Sequence, residues 1–371
     1  MRVAICTGKT GGHVFPALAV ARELKSKNTA NECYFIGTRN GLDQSLLQKE
    51  EIHFEGILGE GVPSKLNWKM FKAVTSFLLA LIEVKSIFKR LRPDVVLSFG
   101  GFISCAPVLM AHWMKIPVVI HEANVHPGRA NRFLSRWAKV ICTGFSAGGD
   151  SFPSFVQAQK GDRNIRITGI PLRKEFFKVN RQESFQDLKL DPLKWTLFVM
   201  GGSLGARSVN EYFLKCLPLL GELSKKIQII HVTGKNDYQR MLASHPPNDI
   251  SYQMIPFLER PEKAFACADL FIGRAGASTL GELASCGLSS ILIPYPHAAE
   301  NHQVANASYW ACKGAAHMIE EKECSPDILA QEISQALLNE PLRKSLSMNA
   351  KKMCVLDADS RVVSVLEEVV K

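Results

Sequence analysis

Short apolar runs alternate with stretches of helical periodicity along nearly the whole chain. RVAICT, ECYFIG, DVVLSFG, PVVIHEA and KVICTG come from the first half, and TLFVMGG, IQIIHVTG, DLFIGRAG and SSILIPYP from the second. Runs that are apolar throughout predict strands buried on both faces, as in parallel sheets with helices above and below. Each half opens on one device: an apolar strand, a glycine-rich turn and a helix, first in VAICTGKTGGHVFPALAV and again in TLFVMGGSLGARSVNEYF. At 371 residues the chain exceeds one ordinary core. The pattern therefore predicts an α/β protein of two Rossmann-like domains with parallel sheets. They span residues 1–165 and 166–340, and a helical segment, 341–371, is expected to cross back onto the first. Ligands of such sheets bind beyond the carboxyl ends of the strands, which places the expected site in a cleft between the domains.

Charge divides the halves. Residues 1–160 hold 20 Lys and Arg against 11 Asp and Glu, while residues 161–371 hold 25 against 24. The basic half is expected to meet something anionic, nucleic acid or a lipid surface, unless the charge is only a solvated face. Ten cysteines without a CxxC pair or metal-like spacing fit reduced thiols and no metal site. No leader peptide is expected at the N-terminus, and no stretch approaches the roughly 20 apolar residues of a membrane span.

The first turn, TGKTGGH, mimics an ATP-binding loop, but GxxxxGK[ST] would need glycine at position 3, where Val3 lies in the strand. GxGxxG is absent too, which argues against a dinucleotide oxidoreductase. Thr10, Gly11 and Gly12 remain at a helix start, where close backbone approach and unpaired N–H groups suit an anion. Lys9 adds a cation suited to a pyrophosphate. His13, in the first turn of that helix, either takes a proton from an attacking hydroxyl or only hydrogen-bonds the loop or a phosphate. GGSLGAR brings Ser203 to a second such turn. GRAGASTLGE forms a third and sets Glu282 where a carboxylate accepts from ribose hydroxyls, or is a solvated helix charge. HEANVHPGRANR puts Asn124 just past a strand, as a sugar contact or a turn cap. PYPHAAENHQVANA offers Gln303 among amides suited to a polyhydroxyl ligand.

Together TGGH, GGF, HEANxxPG, GIPLR, GGSLGAR, RAGASTLGE and PHAAENHQxxNA resemble the MurG family of two-Rossmann (GT-B) glycosyltransferases. That resemblance runs from the first strand to the end of the second domain. It implies inverting transfer of N-acetylglucosamine from its UDP donor to lipid I, undecaprenyl-pyrophosphoryl-MurNAc-pentapeptide, giving lipid II for peptidoglycan. It further implies donor contacts at Thr10, Gly11, Gly12, Asn124, Arg173, Ser203, Leu258, Ala277, Ser278, Thr279, Glu282 and Gln303. His13 is the expected catalytic base, and Lys9, Gly100, Gly101 and Phe102 line the expected acceptor loop. Lys9 and Ala123 depart from the family's usual glycine and glutamine, and Phe102 and Cys105 from its tyrosine and glycine.

No DxD is present, so helix starts and Arg173 are expected to replace a metal, with no cofactor. A bilayer-anchored acceptor implies an enzyme peripheral to the cytoplasmic face of the membrane. Its expected partners are anionic lipid and other cell-wall synthesis proteins, not nucleic acid. The segment Asn67–Arg92 is the expected contact, with Trp68 and Phe71 supplying apolar surface and Lys85, Lys89 and Arg90 charge. A core helix with a basic rim is the competing reading. At the level of function, a transferase for another lipid such as diacylglycerol, or a non-catalytic nucleotide-sugar binder, stays open.

Overall fold

A computed structural model describes residues 1–8, 11–39, 47, 52–59, 68–146, 152, 165–202, 205–244 and 250–371, the side chains of 68–72 lying outside that description. These residues form two compact units, Met1–Arg173 with Asp357–Lys371, and Lys174–Leu356. The divisions drawn from sequence at 165 and 340 move accordingly. GIPLR stays with the first unit as far as Arg173, because Gly169 closes on its strands: its N–H donates to Thr143 O at 3.2 Å. The helix Glu340–Lys352 stays with the second unit, where Ser347 Oγ donates to Gly287 O at 2.6 Å.

The first unit is a seven-stranded sheet built from β1 (Arg2–Cys6), β2 (Glu32–Thr38), β3 (His53–Ile57), β4 (Val95–Ser98), β5 (Val118–Glu122), β6 (Val140–Thr143) and β7 (Ile165–Ile167). Their order is β3-β2-β1-β4-β5-β6-β7, every pairing parallel. Alternate residues of β1 serve opposite faces. Val3 and Ile5 join Val14 and Leu18 of the helix Gly11–Lys27 and Val362 and Leu366 of the final helix Ala358–Val370. Ala4 and Cys6 join Leu81, Val84 and Phe88 of the helix Trp68–Leu91 and Val108 of the helix Cys105–Trp113. Strands sandwiched in this way read as unbroken apolar runs. The final helix is also held by polar bonds: Ser360 Oγ donates to Glu23 at 2.6 Å and Lys139 Nζ to Val369 O at 3.0 Å.

The second unit is a six-stranded parallel sheet of β8 (Trp195–Met200), β9 (Ile227–Val232), β10 (Ser251–Ile255), β11 (Leu270–Gly273), β12 (Ser290–Leu292) and β13 (His317–Met318), in the order β10-β9-β8-β11-β12-β13. Leu197 and Val199 face Val209 and Phe213 of the helix Arg207–Cys216 and Leu329 and Ile333 of the helix Pro326–Leu338. On the other face Phe198, Phe265 and Phe271 pack with centroids 5.0–5.7 Å apart. Burying each such ring is worth about 1.5–3 kcal/mol. All ten cysteines are unpaired.

Candidate active site

In the first unit, chain order and sheet order part company between β1 and β4, the place in such sheets where ligands bind beyond the carboxyl ends of the strands. The two turns meet at backbone level. Phe99 N donates to Cys6 O at 2.9 Å, and a methyl placed on Gly101, whose φ is +85°, would come 3.2 Å from Gly8 Cα. A side chain at Gly101 would press on the β1 turn. His13 closes over the same spot: its Nδ1 lies 2.9 Å from where a methyl on Gly8 would stand. Gly11 and Gly12 open the 17-residue helix below it, with Gly12 exposed. Lys9 and Thr10 lie outside the described residues. His13 is thus half-buried in the first turn of that helix.

Neighbouring strands extend this site. Asn124, past β5, gives both its backbone N–H and its side-chain N–H to Glu122 Oε1, at 2.9 and 3.0 Å. Arg173 sets its guanidinium 5.2 Å from the centre of the Phe15 ring, on the helix that carries His13. Its place is therefore in the first unit, not in the domain of 166–340. Phe102 of the Gly100-Gly101-Phe102 turn packs on Phe77 of the helix Trp68–Leu91, centroids 6.0 Å apart. That contact joins the turn to the basic segment.

On that helix the exposed face is apolar first and cationic after. Val74, Leu78, Leu79 and Ile82 are 51, 54, 50 and 66% exposed, and Lys85 and Lys89 are exposed one and two turns on. Arg90 differs from its sequence reading as a spare cation, because its guanidinium pairs with Glu55 at 2.6 Å. Glu83 is matched by Arg39 and accepts Leu58 N at 2.8 Å. The side chains of Trp68 and Phe71 fall outside the description. Trp113, which sequence did not single out, is 62% exposed at the end of the helix Cys105–Trp113.

The second unit has its own switch point, between β8 and β11. After β8, Ser203 lies outside the described residues. Gly205 has φ +83°, and a methyl there would meet Thr233 O at 2.3 Å, so only glycine fits. Asn210 ties that turn down by donating to Thr233 O at 2.9 Å and Asp237 at 2.7 Å. Its carbonyl oxygen faces His231 Nε2 at 2.9 Å, which makes Nε2 the donor and leaves Nδ1 to accept from Tyr252 Oη. After β11, the helix Ala277–Cys286 begins behind Gly276 with no side-chain cap, so Ala277, Ser278 and Thr279 present first-turn N–H groups. Glu282 is half-buried on the second turn. Gln303 Oε1 accepts from Tyr295 N at 3.0 Å, and Asn306 Nδ2 donates to Ala275 O at 3.1 Å, which draws the helix His302–Cys312 against the β11 turn. Leu258 stands further along the same carboxyl edge, past β10.

Three residues were not read as functional from sequence. Arg274 looks like a phosphate cation, yet it is 7% exposed. It donates to Ile293 O at 3.0 Å and Ser208 Oγ at 2.9 Å and pairs with Glu321. Glu122 and Asn131 are likewise buried around Asn124. A charge at the end of an apolar strand run was the only signal for Glu122 and Arg274, and Asn131, within the helix Arg129–Leu134, had none. Among the described residues, no three His, Cys, Asp or Glu side chains gather as a metal-binding group.

Known proteins match along the whole length. The glycosyltransferase family 28 N-terminal domain matches residues 3–143, and the family's C-terminal domain residues 196–362. A UDP-N-acetylglucosamine–N-acetylmuramyl-(pentapeptide) pyrophosphoryl-undecaprenol N-acetylglucosamine transferase of Desulforamulus reducens is 35% identical, over 100% of this chain and 99% of its own. The crystal structure of Acinetobacter baumannii MurG superposes with a TM-score of 0.76 at 28% identity, covering 99% of both chains. A Neisseria meningitidis UDP-GlcNAc 2-epimerase bound to UDP-GlcNAc reaches 0.71 at 14% identity, over 99% of this chain and 100% of that one, a likeness of fold alone.

Proposed function

This chain belongs to the MurG family of glycosyltransferase family 28, and from that premise we propose how it acts: it transfers N-acetylglucosamine from UDP-N-acetylglucosamine to lipid I and so forms lipid II. The 4-hydroxyl oxygen of the muramyl sugar attacks the anomeric carbon, its proton passes to His13, and the bond to UDP breaks on the opposite face. Ala277, Ser278 and Thr279 hold the pyrophosphate through first-turn N–H groups, and Glu282 accepts from the ribose. Arg173 and the Gly11–Gly12 helix start add positive potential, so departing UDP needs no metal. The observation that carries the reading is His13 lying over Gly8, where the β1 and β4 turns meet.

The apolar face of the helix Trp68–Leu91, running into Lys85 and Lys89, supports peripheral docking on anionic lipid at the cytoplasmic face. No helix among the described residues is long and apolar enough to cross a membrane. Through Phe77 and Phe102 the docked helix abuts the acceptor turn, which suits an acceptor held in the bilayer.

UDP release is the test, with UDP-N-acetylglucosamine and a short-chain lipid I analogue. Turnover with the analogue but not with diacylglycerol is expected. Turnover with diacylglycerol alone would assign another lipid, and none with any acceptor would leave a nucleotide-sugar binder.

A further inference from the structure

Glu122 ends β5 and has no part in the reaction as written. It is 3% exposed, and burial raises its carboxyl above the usual carboxylate range against the pull of its hydrogen-bond donors. Four donors converge on it. Besides the two from Asn124, Oε2 accepts Gly128 N at 3.1 Å and Asn131 Nδ2 at 2.8 Å. An ionised carboxylate accepts at all of these positions, whereas a neutral carboxyl would turn one O–H against an N–H. The HEANVHPG loop is thereby closed onto the end of its own strand.

Asn131 carries the constraint further. Its amide lies 2.9 Å from where a methyl on Gly100 would stand, and Gly100, at φ +89°, precedes the Gly101 that rests on Gly8. Beyond Glu122, the amide's other donor contact is a long one to His121 O at 3.5 Å, and its buried Oδ1 has no partner among the described residues. Glu122 therefore sets how Asn131 sits under the glycine turn.

We infer that Glu122 is a positioning residue for transfer, fixing the Gly100–Gly101 turn through Asn131 and the sugar-facing loop through Asn124. It touches no substrate, and its effect falls on the acceptor turn and on the loop that carries Asn124. The inference rests on the transferase reading, and its test keeps the two apart.

Kinetics with the soluble lipid I analogue, UDP titration and thermal midpoints are measured for wild type, Glu122→Gln, Asn131→Asp and the double variant. Glutamine turns an NH2 toward donors that need an acceptor, so kcat/KM for the acceptor should fall by about 10- to 100-fold. UDP affinity should hold, because UDP carries no transferred sugar for Asn124 to face and the proposed pyrophosphate and ribose contacts at Ala277, Ser278, Thr279 and Glu282 lie in the second unit. The double variant restores the bond between residues 122 and 131 in reverse, amide to carboxylate, and should regain much of the loss. Near-normal kcat/KM in Glu122→Gln, or UDP affinity and thermal midpoint falling in step with it and no recovery in the double variant, overturns the inference. Should Glu122→Gln not fold, Asn131→Ser decides by the same split, and acceptor kinetics like wild type would end the idea. A wild type that transfers nothing to the analogue sinks the transferase reading instead.

Discussion

His13 has two possible tasks, and kinetics separate them. As the base it should affect turnover far more than donor affinity, so His13→Ala should lower kcat by about 10²–10⁴-fold and leave UDP binding alone. Near-normal turnover with a raised donor KM would make it a loop ligand. Glu282→Ala should weaken UDP binding by about 1.5–3 kcal/mol through lost ribose bonds. Calorimetry with UDP and a 2′,3′-dideoxy analogue checks this: the variant should no longer distinguish them as wild type does. A third prediction concerns buried imidazoles. Burial lowers His121 to about 4 and His231 to about 3 from 6.5, so both stay neutral when folded. Only the unfolded chain protonates them between about pH 6.5 and 4, so their contribution is complete above 6.5 and is lost as pH falls. Glu122, raised by burial, works in the opposite sense. Thermal midpoints should fall across that window, and His231→Gln should shrink the fall; an identical fall in the variant would contradict this.

At the scale of elements, the helix Trp68–Leu91 is the one to test. Arg90 is paired, so the proposed lipid attraction falls to Lys85 and Lys89. Changing both to glutamine should cost about 1 kcal/mol each in binding phosphatidylglycerol vesicles and flatten its salt dependence. Soluble-acceptor turnover should stay at wild type. Unchanged co-sedimentation across a salt series would make the face merely solvated. Elements also show what was legible in the sequence. The nine strands read from it are the inner ones, and the four missed, β3, β7, β10 and β13, are the two edges of each sheet. An edge strand such as β10 has no fully buried residue, so no apolar run betrays it. Among site residues, glycine turns and motif letters were readable because they need particular local geometry. Glu122, Asn131 and Arg274 were not, since their roles come from partners such as Gly128, Gly100 and Ser208 supplied by folding.

Over the whole molecule, each unit repeats one plan, a parallel sheet whose switch point carries glycine turns and a helix start. The first plan holds a histidine in the opening turn of its helix, and the second a helix with no side-chain cap and a half-buried glutamate. The Neisseria epimerase shares this fold at 14% identity, so architecture alone does not select the reaction. The central claim is one direct displacement by the acceptor hydroxyl without metal assistance, and the linkage it leaves is its most direct readout. Labelled UDP-N-acetylglucosamine and the lipid I analogue are incubated in EDTA, and the disaccharide's anomeric configuration is read by NMR. A β-linked product formed at an undiminished rate is expected. An α-linked product, or turnover abolished by EDTA and restored by magnesium or manganese, would contradict it.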